Sequence, residues 1–552
     1  MALSDDRGDQ RLTPPLPTAG SGGLRHVLAA CAVLLCVAVI LLGHTGRDDS
    51  HITYFVSQSL ADGQGLVNYN GARVEQSSTL SWTLVLALAA AVTGTGVATL
   101  GPVLSFLFLL LSVGVVAALT RRAGLSPLAP LGLASLPIVY WSLSGMENSF
   151  YLFLCLLLGL AVLLDAQGSA PPPADARRSG GGGPIARAGV VAALSALLAL
   201  TRPEYLPVVA LAAVLLTLSG GRAWRARARL AALLVGGAGV AVGLRLLAGL
   251  DLFPNTVYAK AAGPPLAANI RAGIDYLILT GRTVPLSAGM AVAGFVAGLV
   301  HLWRLGPSPA GAVLALFLAL SAAIGAFAVA SGGDWMEAGR FVAVPMALAT
   351  LAGLAAVPRR WAAVAGTLVV AALLADTWRL AAREFGGLPY FARHPYEVQA
   401  YAPSPLEAYN VVHARDLTFI DRALPVLDRA AGRDGEVVVA SIQAGMVPFY
   451  VARELGDRFH FVDLKGLSTR HIHDCRGEDG WLHAPYRDIR GLQACIGIEF
   501  DFVFDLDFPG WPRLEDLRET GCREVFREQV TVDAGPDWKP PVPWYQFLAD
   551  CR

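Results

Sequence analysis

Residues His26–Phe55 read HVLAACAVLLCVAVILLGHTGRDDSHITYF. The apolar run from about His26 to Gly43 is long enough to cross a ~30 Å hydrocarbon core as a helix. It follows a short polar tail carrying Arg7, Arg11 and Arg25, and it ends on Arg47, Asp48 and Asp49. No small-residue cleavage pattern precedes Arg47, so the run reads as a retained first span rather than a signal peptide.

Similar apolar blocks recur along the chain. Of its 552 residues, 54% are hydrophobic and only 16% are charged, whereas water-soluble domains carry about a quarter charged residues. A polytopic α-helical membrane protein follows. Candidate helices fall at 26–44, 79–94, 99–120, 124–142, 147–165, 187–201, 204–219, 230–249, 284–304, 309–331, 339–356 and 361–378. If all twelve crossed, Arg121 and Arg122 would share a side with Asp48 and Asp49, against the tendency of basic loops to stay inside. With Thr79–Thr93 lying at the interface instead, eleven spans remain. Arg121–Arg122, Arg177–Arg178 with Arg187, Arg222–Arg229, Arg304 and Arg359–Arg360 then all fall inside. The loops rich in acids, aromatics and amides fall outside.

This reading divides the chain into a cytoplasmic tail (1–25), a membrane domain (26–378) and an outer α/β domain (379–552). The membrane domain includes an outer loop at 45–98 and a Pro/Gly-rich cytoplasmic loop at 166–186, whose composition is that of a flexible linker. In the outer domain, Gly435–Ala440, Phe459–Asp463 and Phe500–Asp505 read as strands. The preceding helical stretch, Val412–Ala431, should kink or split at Pro425. Cys475, Cys495, Cys522 and Cys551 can close two disulfides in any of three connectivities. None has metal-ligand spacing, and His471, His473 and Asp474 read as solvated surface. Tyr140, Trp141 and Trp378 read as interfacial belt residues.

Two adjacent carboxylates at a membrane surface repel one another and lose solvation, which can raise one toward a useful general base. Equally, Asp48 and Asp49 can cap the helix that follows them. Sequence physics alone weighs these evenly. Beyond that helix, Gly63, Gly65, Asn68–Gly71 and Arg73–Glu75 form a turn-rich segment with groups suited to sugar hydroxyls.

The order of these features resembles the membrane-embedded glycosyltransferases of the GT-C fold. More narrowly, Asp48, Asp49, Leu60–Gly63, Gly65, Asn70-Gly71, Arg73–Glu75, Ser78-Thr79 and Trp82 are similar to the actinobacterial terminal arabinofuranosyltransferases. Further matches lie at Ser144–Glu147, Thr201–Glu204, Pro254–Thr256 with Tyr258–Lys260, and Gly333–Trp335 with Gly339–Phe341. The resemblance covers most of residues 40–345.

It implies an inverting transfer of a sugar, arabinofuranose by the narrower match, from a polyprenyl-phosphate donor to an extracytoplasmic cell-envelope glycan. Asp48 or Asp49 would be the base. Lys260, Arg340 and Arg202 would face the donor phosphate, with Arg202–Glu204 as a helix-end ion pair and membrane anchoring of Lys260 and Arg340 as the plainer readings. Glu75, Glu147, Asp334, Trp335, Asn255 and Tyr258 are the candidates for sugar or acceptor. Gln443, Asp463 and Lys465 are candidates in the outer domain, where packing and capping explain most of them. No cofactor is fixed by these residues; cationic side chains or a divalent cation (Mg, Mn or Ca) would stabilise the leaving phosphate. The implied setting is a bacterial inner membrane, multi-pass, with the bilayer, donor and acceptor as partners and no nucleic acid. Two alternatives stand: a polyprenyl-phosphate hexose (mannose-type) transferase acting on protein or lipid, and a flippase for a lipid-linked sugar.

Overall fold

The computed structural model describes residues 21–43, 48–168, 184–219, 224–261, 265–306, 308–334, 336–385, 414–433, 435–469, 472, 475, 488–507, 513–530 and 544–552. The membrane domain contains α1 (Ser21–Leu42), α2 (Asp48–Ala61), α3 (Leu80–Thr93), α4 (Val97–Ala123), α5 (Leu136–Ser142), α6 (Asn148–Gly168), α7 (Pro184–Thr201) and α8 (Tyr205–Leu218). It continues with α9 (Trp224–Leu247), α10 (Asn255–Ala261), α11 (Leu266–Thr283), α12 (Pro285–Leu305), α13 (Pro309–Ala330), α14 (Ala343–Ala355) and α15 (Ala362–Phe385). Among the described residues, eight helices are long and apolar enough to cross a bilayer, and α3, the α7 helix and α8 are shorter apolar helices. At 14 residues α3 is only about 21 Å long, short of the ~30 Å core.

The expected helix at 124–142 is not continuous. Gly124 closes α4 in the left-handed conformation, a 3-10 segment covers Ala129–Ala134, and α5 holds only seven residues. Pro127, Pro130 and Pro137 deny the segment a regular helical ladder. It nonetheless runs the length of its neighbour: Ser126 N–H donates to the Ala355 carbonyl, and Trp141 Nε1 donates to the Ala338 carbonyl at the other end. Irregular backbone at membrane depth is tolerated only when protein covers it, and the residues from 128 to 142 are all buried. That covering also corrects the belt reading. Tyr140 and Trp141 are fully buried, while Trp378 is exposed.

Close helix packing comes from small residues. A Cβ on Gly353 of α14 would lie 2.3 Å from the Gly294 Cα of α12, and one on Gly298 would lie 3.1 Å from the Ala352 Cβ. The Gly294-x-x-x-Gly298 spacing puts both on one face, where two helix backbones can touch.

The C-terminal domain, which keeps the name outer domain from the topology expected above, contains α16 (Ala414–Ala431), β1 (Val437–Ser441), α17 (Met446–Leu455), β2 (Phe459–Asp463), α18 (Ile489–Ile496), β3 (Phe502–Asp507), α19 (Arg513–Glu519), β4 (Arg523–Val530) and β5 (Trp544–Asp550). The sheet order is β2-β1-β3-β5-β4. Its first three strands are parallel, and β5 runs antiparallel to both β3 and β4. The three expected strands are present within two residues of their expected bounds. The helix α16 runs unbroken through Pro425, because Phe419, Ile420, Ala423, Leu424 and Leu427 anchor it in the core. The disulfides are Cys475–Cys495 and Cys522–Cys551. Cys31 and Cys155 are buried in the membrane helices, and Cys36 is exposed. His471, His473 and Asp474 lie outside the described residues.

Replacing Gly353 with Leu should therefore cost about 1–3 kcal/mol through overpacking against Gly294. Gly236→Leu, at a helical site with nothing within 4 Å of a new Cβ, should not lower stability. Paired melting curves in detergent read the difference, and equal melting temperatures would contradict the packing described.

Candidate functional site

The acidic pair opens α2, and its two carboxylates face different domains. Asp49 Oδ2 accepts from Arg340 Nη1 at 3.0 Å. Asp48 Oδ1 accepts from the N–H of Met446 at 2.5 Å, the first residue of α17 in the outer domain. The approach leaves room only for glycine before it: a Cβ on Gly445 would lie 2.1 Å from the Asp48 carbonyl oxygen.

Arg340 is the hub of a buried ionic network. It is only 5% exposed and pairs with Asp334 as well as Asp49. Its guanidinium lies over the Phe341 ring, 5.0 Å from the centroid, and over Trp141 at 6.0 Å. The turn that presents it is unusual: Ala338 has φ +52° and Gly339 φ +65°, a region costly for any residue with a Cβ. Three side chains hold that turn in place. Asn148 Nδ2 donates to the Arg340 carbonyl, Trp141 Nε1 to the Ala338 carbonyl, and Phe341 N–H to the Tyr276 hydroxyl.

Beside it, Arg202 Nη2 meets Glu147 at 2.5 Å and its Nη1 meets Glu204 at 3.0 Å. Its guanidinium lies 5.8 Å from the same Phe341 ring, so one aromatic serves both cations. Four carboxylates thus share two guanidiniums in a space with little water, where charges interact strongly. Among the described residues no three His, Cys, Asp or Glu side chains converge to hold a metal ion.

The remaining expected residues lie around the seam with the outer domain. Glu75 makes a two-pronged pair with Arg245 of α9, at 2.9 and 2.5 Å, and Arg245 also donates to the Asp251 carbonyl. Burial pushes the Glu75 carboxyl up while Arg245 opposes the shift. Asn255 donates through Nδ2 to the Gly466 and Leu467 carbonyls. Tyr258 is exposed and sits edge-on to Phe253. Lys260 lies on α10, but its side chain is outside the described residues, as is Trp335.

Sequence reasoning missed how much of the outer loop grips the sheet. Asn70 pairs by its side-chain amide with both backbone groups of Phe461 on the edge strand β2, at 2.9 and 2.8 Å. It thereby covers part of an edge that would otherwise stay unpaired. Asn68 Nδ2 donates to the Ser468 carbonyl, and the Tyr69 hydroxyl to the Ala444 carbonyl. Burial, with Asp48 and Asp463 nearby, pushes the Tyr69 phenol well above its usual range. Asp463 is itself buried and accepts from Lys465 N–H and Ser468 N–H, so it staples its own loop. Arg245 carried a readable signal, as a lone cation near the end of an apolar helix. The Met446 N–H carried none.

No protein-family model matches the chain, and none of the curated proteins does. Solved structures do. ArnT from Cupriavidus metallidurans in the apo state superposes with a TM-score of 0.52 at 16% identity, over 96% of this chain and 98% of ArnT. ArnT bound to undecaprenyl phosphate gives 0.51 at 15% identity, over 97% and 99%. The archaeal oligosaccharyltransferase AglB from Archaeoglobus fulgidus, in complex with an inhibitory peptide and a dolichol-phosphate, gives 0.50 at 12% identity, over 94% of this chain and 75% of AglB. At such identities the likeness concerns the fold, and that fold is GT-C-like, with a small sheet domain following the membrane helices.

Removing Arg245 alone, as Arg245→Met, would strand the buried Glu75 carboxylate and should cost about 3–5 kcal/mol. The double variant Arg245→Met/Glu75→Leu should recover much of that loss. A double-mutant cycle on detergent melts gives the coupling, and additive single effects would refute it.

Proposed function

We propose that this chain is a membrane glycosyltransferase that moves a sugar from a polyprenyl phosphate to a cell-envelope glycan, with its active site at the end of the helix bundle that carries Asp49. The observation that carries the reading is an acidic pair at the start of α2 set against buried Arg340 and Arg202, within a fold shared with ArnT and AglB. The ArnT structure with undecaprenyl phosphate and the AglB structure with dolichol-phosphate support a lipid-linked donor. The sequence likeness to terminal arabinofuranosyltransferases favours arabinofuranose as the sugar.

In this mechanism Asp49 takes the proton from the acceptor hydroxyl as that oxygen attacks the anomeric carbon. The bond from that carbon to the phosphate oxygen breaks, and the polyprenyl phosphate leaves with the electron pair. Asp49 is preferred to Asp48 because its side chain is 30% exposed, whereas the Asp48 carboxylate holds the start of α17. Arg340 and Arg202 stand where negative charge would grow on the leaving phosphate, and such preorganised charges lower the barrier. Each is already matched by two carboxylates, so Lys260 is assigned the additional positive charge. Glu147 and Asp334 orient the two guanidiniums, and Trp335 and Tyr258 are the aromatic surfaces offered to the sugar. Asn255, at the start of α10, and Glu75, in the outer loop, act on the sugar by fixing the walls of the site. The sheet domain would lie outside a bacterial plasma membrane, together with the site.

A transport reading calls for polar groups along a midplane path. The buried Asp376 of α15 instead accepts the Leu286 and Ser287 N–H groups at the start of α12, as a helix cap.

Purified protein given synthetic polyprenyl-phosphate arabinofuranose and a short arabinan acceptor should transfer the sugar. Asp49→Asn should lose about a hundredfold or more while melting close to wild type. Asp48→Asn should lower the melting temperature and cut transfer less. Full activity in Asp49→Asn would remove that carboxylate from the chemistry. Transfer only from a hexose donor would reassign the sugar and leave the base assignment standing.

A further inference from the structure

A separate feature lies at the other end of the helix bundle. A cavity of about 440 Å³ opens where α6, α7, α9 and the turn from α12 to α13 meet. It lies at the far end of α6: Asn148, the first residue of that 21-residue helix, touches Arg340, while Asp165 and Ala166, which line the cavity, belong to its last turn. The walls are apolar, formed by Val162, Val191, Leu230, Leu233 and Ala312. The volume falls within the range of small-molecule and cofactor sites.

Cations crowd its mouth. Arg225, Arg227 and Arg229 all line the cavity, against one carboxylate, Asp165. Asp165 is engaged by Arg229 through two hydrogen bonds, at 2.7 and 3.2 Å. Arg227 is only 7% exposed. Its Nη1 donates to the Ser219 carbonyl and hydroxyl, and among the described residues it forms no ion pair. A guanidinium held out of water without a counter-charge is costly, and an anion at the mouth would offset that cost. The start of α13, capped by Ser308, adds the positive end of a helix dipole to the same rim. Trp224, 53% exposed beside Arg225, fits a residue at the headgroup level.

An apolar slot lined by cations, at one end of a bundle of membrane-spanning helices, fits an amphiphile with an anionic head. We propose that this cavity binds an anionic glycerophospholipid of the leaflet opposite the Asp49 end. The phosphodiester sits on Arg225 and Arg227, and one acyl chain lies among Val162, Val191, Leu230, Leu233 and Ala312. Basic pockets between membrane helices recognise lipid headgroups in this way. The inference does not depend on which sugar the protein transfers, or on whether it transfers one.

The test uses full-length protein in a neutral detergent, with phosphatidylglycerol, phosphatidylcholine of the same chains, and inorganic phosphate added separately. Phosphatidylglycerol should raise the melting temperature by about 3 °C or more near saturation. Phosphatidylcholine and inorganic phosphate should raise it by less than a third as much. Native mass spectrometry should find one retained phosphatidylglycerol fewer in Arg225→Gln and in Ala312→Phe. The first removes a rim charge from an exposed side chain. The second fills the slot without changing charge, and both avoid the hydrogen bonds of Arg227. Equal stabilisation by phosphatidylcholine would overturn the proposal, because the rim would then not be reading charge. Equal stabilisation by inorganic phosphate would overturn it as well, leaving an anion site without a lipid chain. Unchanged lipid retention in both variants would move the lipid elsewhere.

Discussion

Consecutive residues on a helix point about 100° apart, and at the start of α2 that angle separates two domains. Asp49 turns to Arg340 in the membrane domain, while Asp48 turns to the first N–H of α17 in the outer domain. A one-residue slip of α2 would break both contacts, so the seating of the outer domain and the geometry of the ionic network are set by one helix start. The contacts around it follow the same logic. The Asn68, Tyr69 and Asn70 side chains and Asn255 hydrogen-bond to backbone groups of the outer domain. The outer loop thus works as a clasp, and the site is closed on one side by a domain it also holds.

Arg340 sets the second constraint. A buried guanidinium is costly unless matched and hydrogen-bonded, and here the matching carboxylates come from α2 and from the turn that precedes it in sequence. That turn includes a non-glycine residue in the left-handed region, a conformation the surrounding hydrogen bonds must hold. Strain of this kind is sustained where neighbours over-determine the backbone. Trp141, Asn148 and Tyr276 do so from three different elements. This is also why Trp141 is a core residue despite its place near a helix end: its indole N–H is needed inside.

The features legible in the sequence were those that depend on a single segment. Apolar runs gave the long spans, and short β-branched or aromatic runs gave β1, β2 and β3. The acidic pair and the outer-end arginines could be grouped because they share one side of the membrane. Features set by two segments were harder to read. Residues 124–142 are apolar enough to suggest a helix, yet three prolines and burial by the surrounding protein allow an irregular segment that hydropathy cannot distinguish. The edge strand β4, with Arg523, Glu524, Arg527 and Glu528, lacks the apolar run that marked the three strands found from sequence. Glu75 and Asn255 have the chemistry of sugar ligands, but their contacts here are with Arg245 and with the Gly466–Leu467 backbone. A backbone donor such as the Met446 N–H leaves no residue-type signature at all.

The two ends of the bundle handle cations in opposite ways, and the contrast bears on what each end meets. At the Asp49 end every buried guanidinium described here is matched by carboxylates: Arg340 by Asp49 and Asp334, Arg202 by Glu147 and Glu204, Arg245 by Glu75. Such an end holds its charges in fixed positions before any ligand arrives, which is how preorganised electrostatics act on a reacting group. At the opposite end, among the described residues, Asp165 is the carboxylate that lines the cavity with three arginines, and the described hydrogen bonds of buried Arg227 go to neutral oxygens. On the readings proposed above, the bilayer that the fold crosses would supply a ligand at one end of the bundle and carry the sugar donor at the other, and the balance of fixed charge at each end is what separates the two roles.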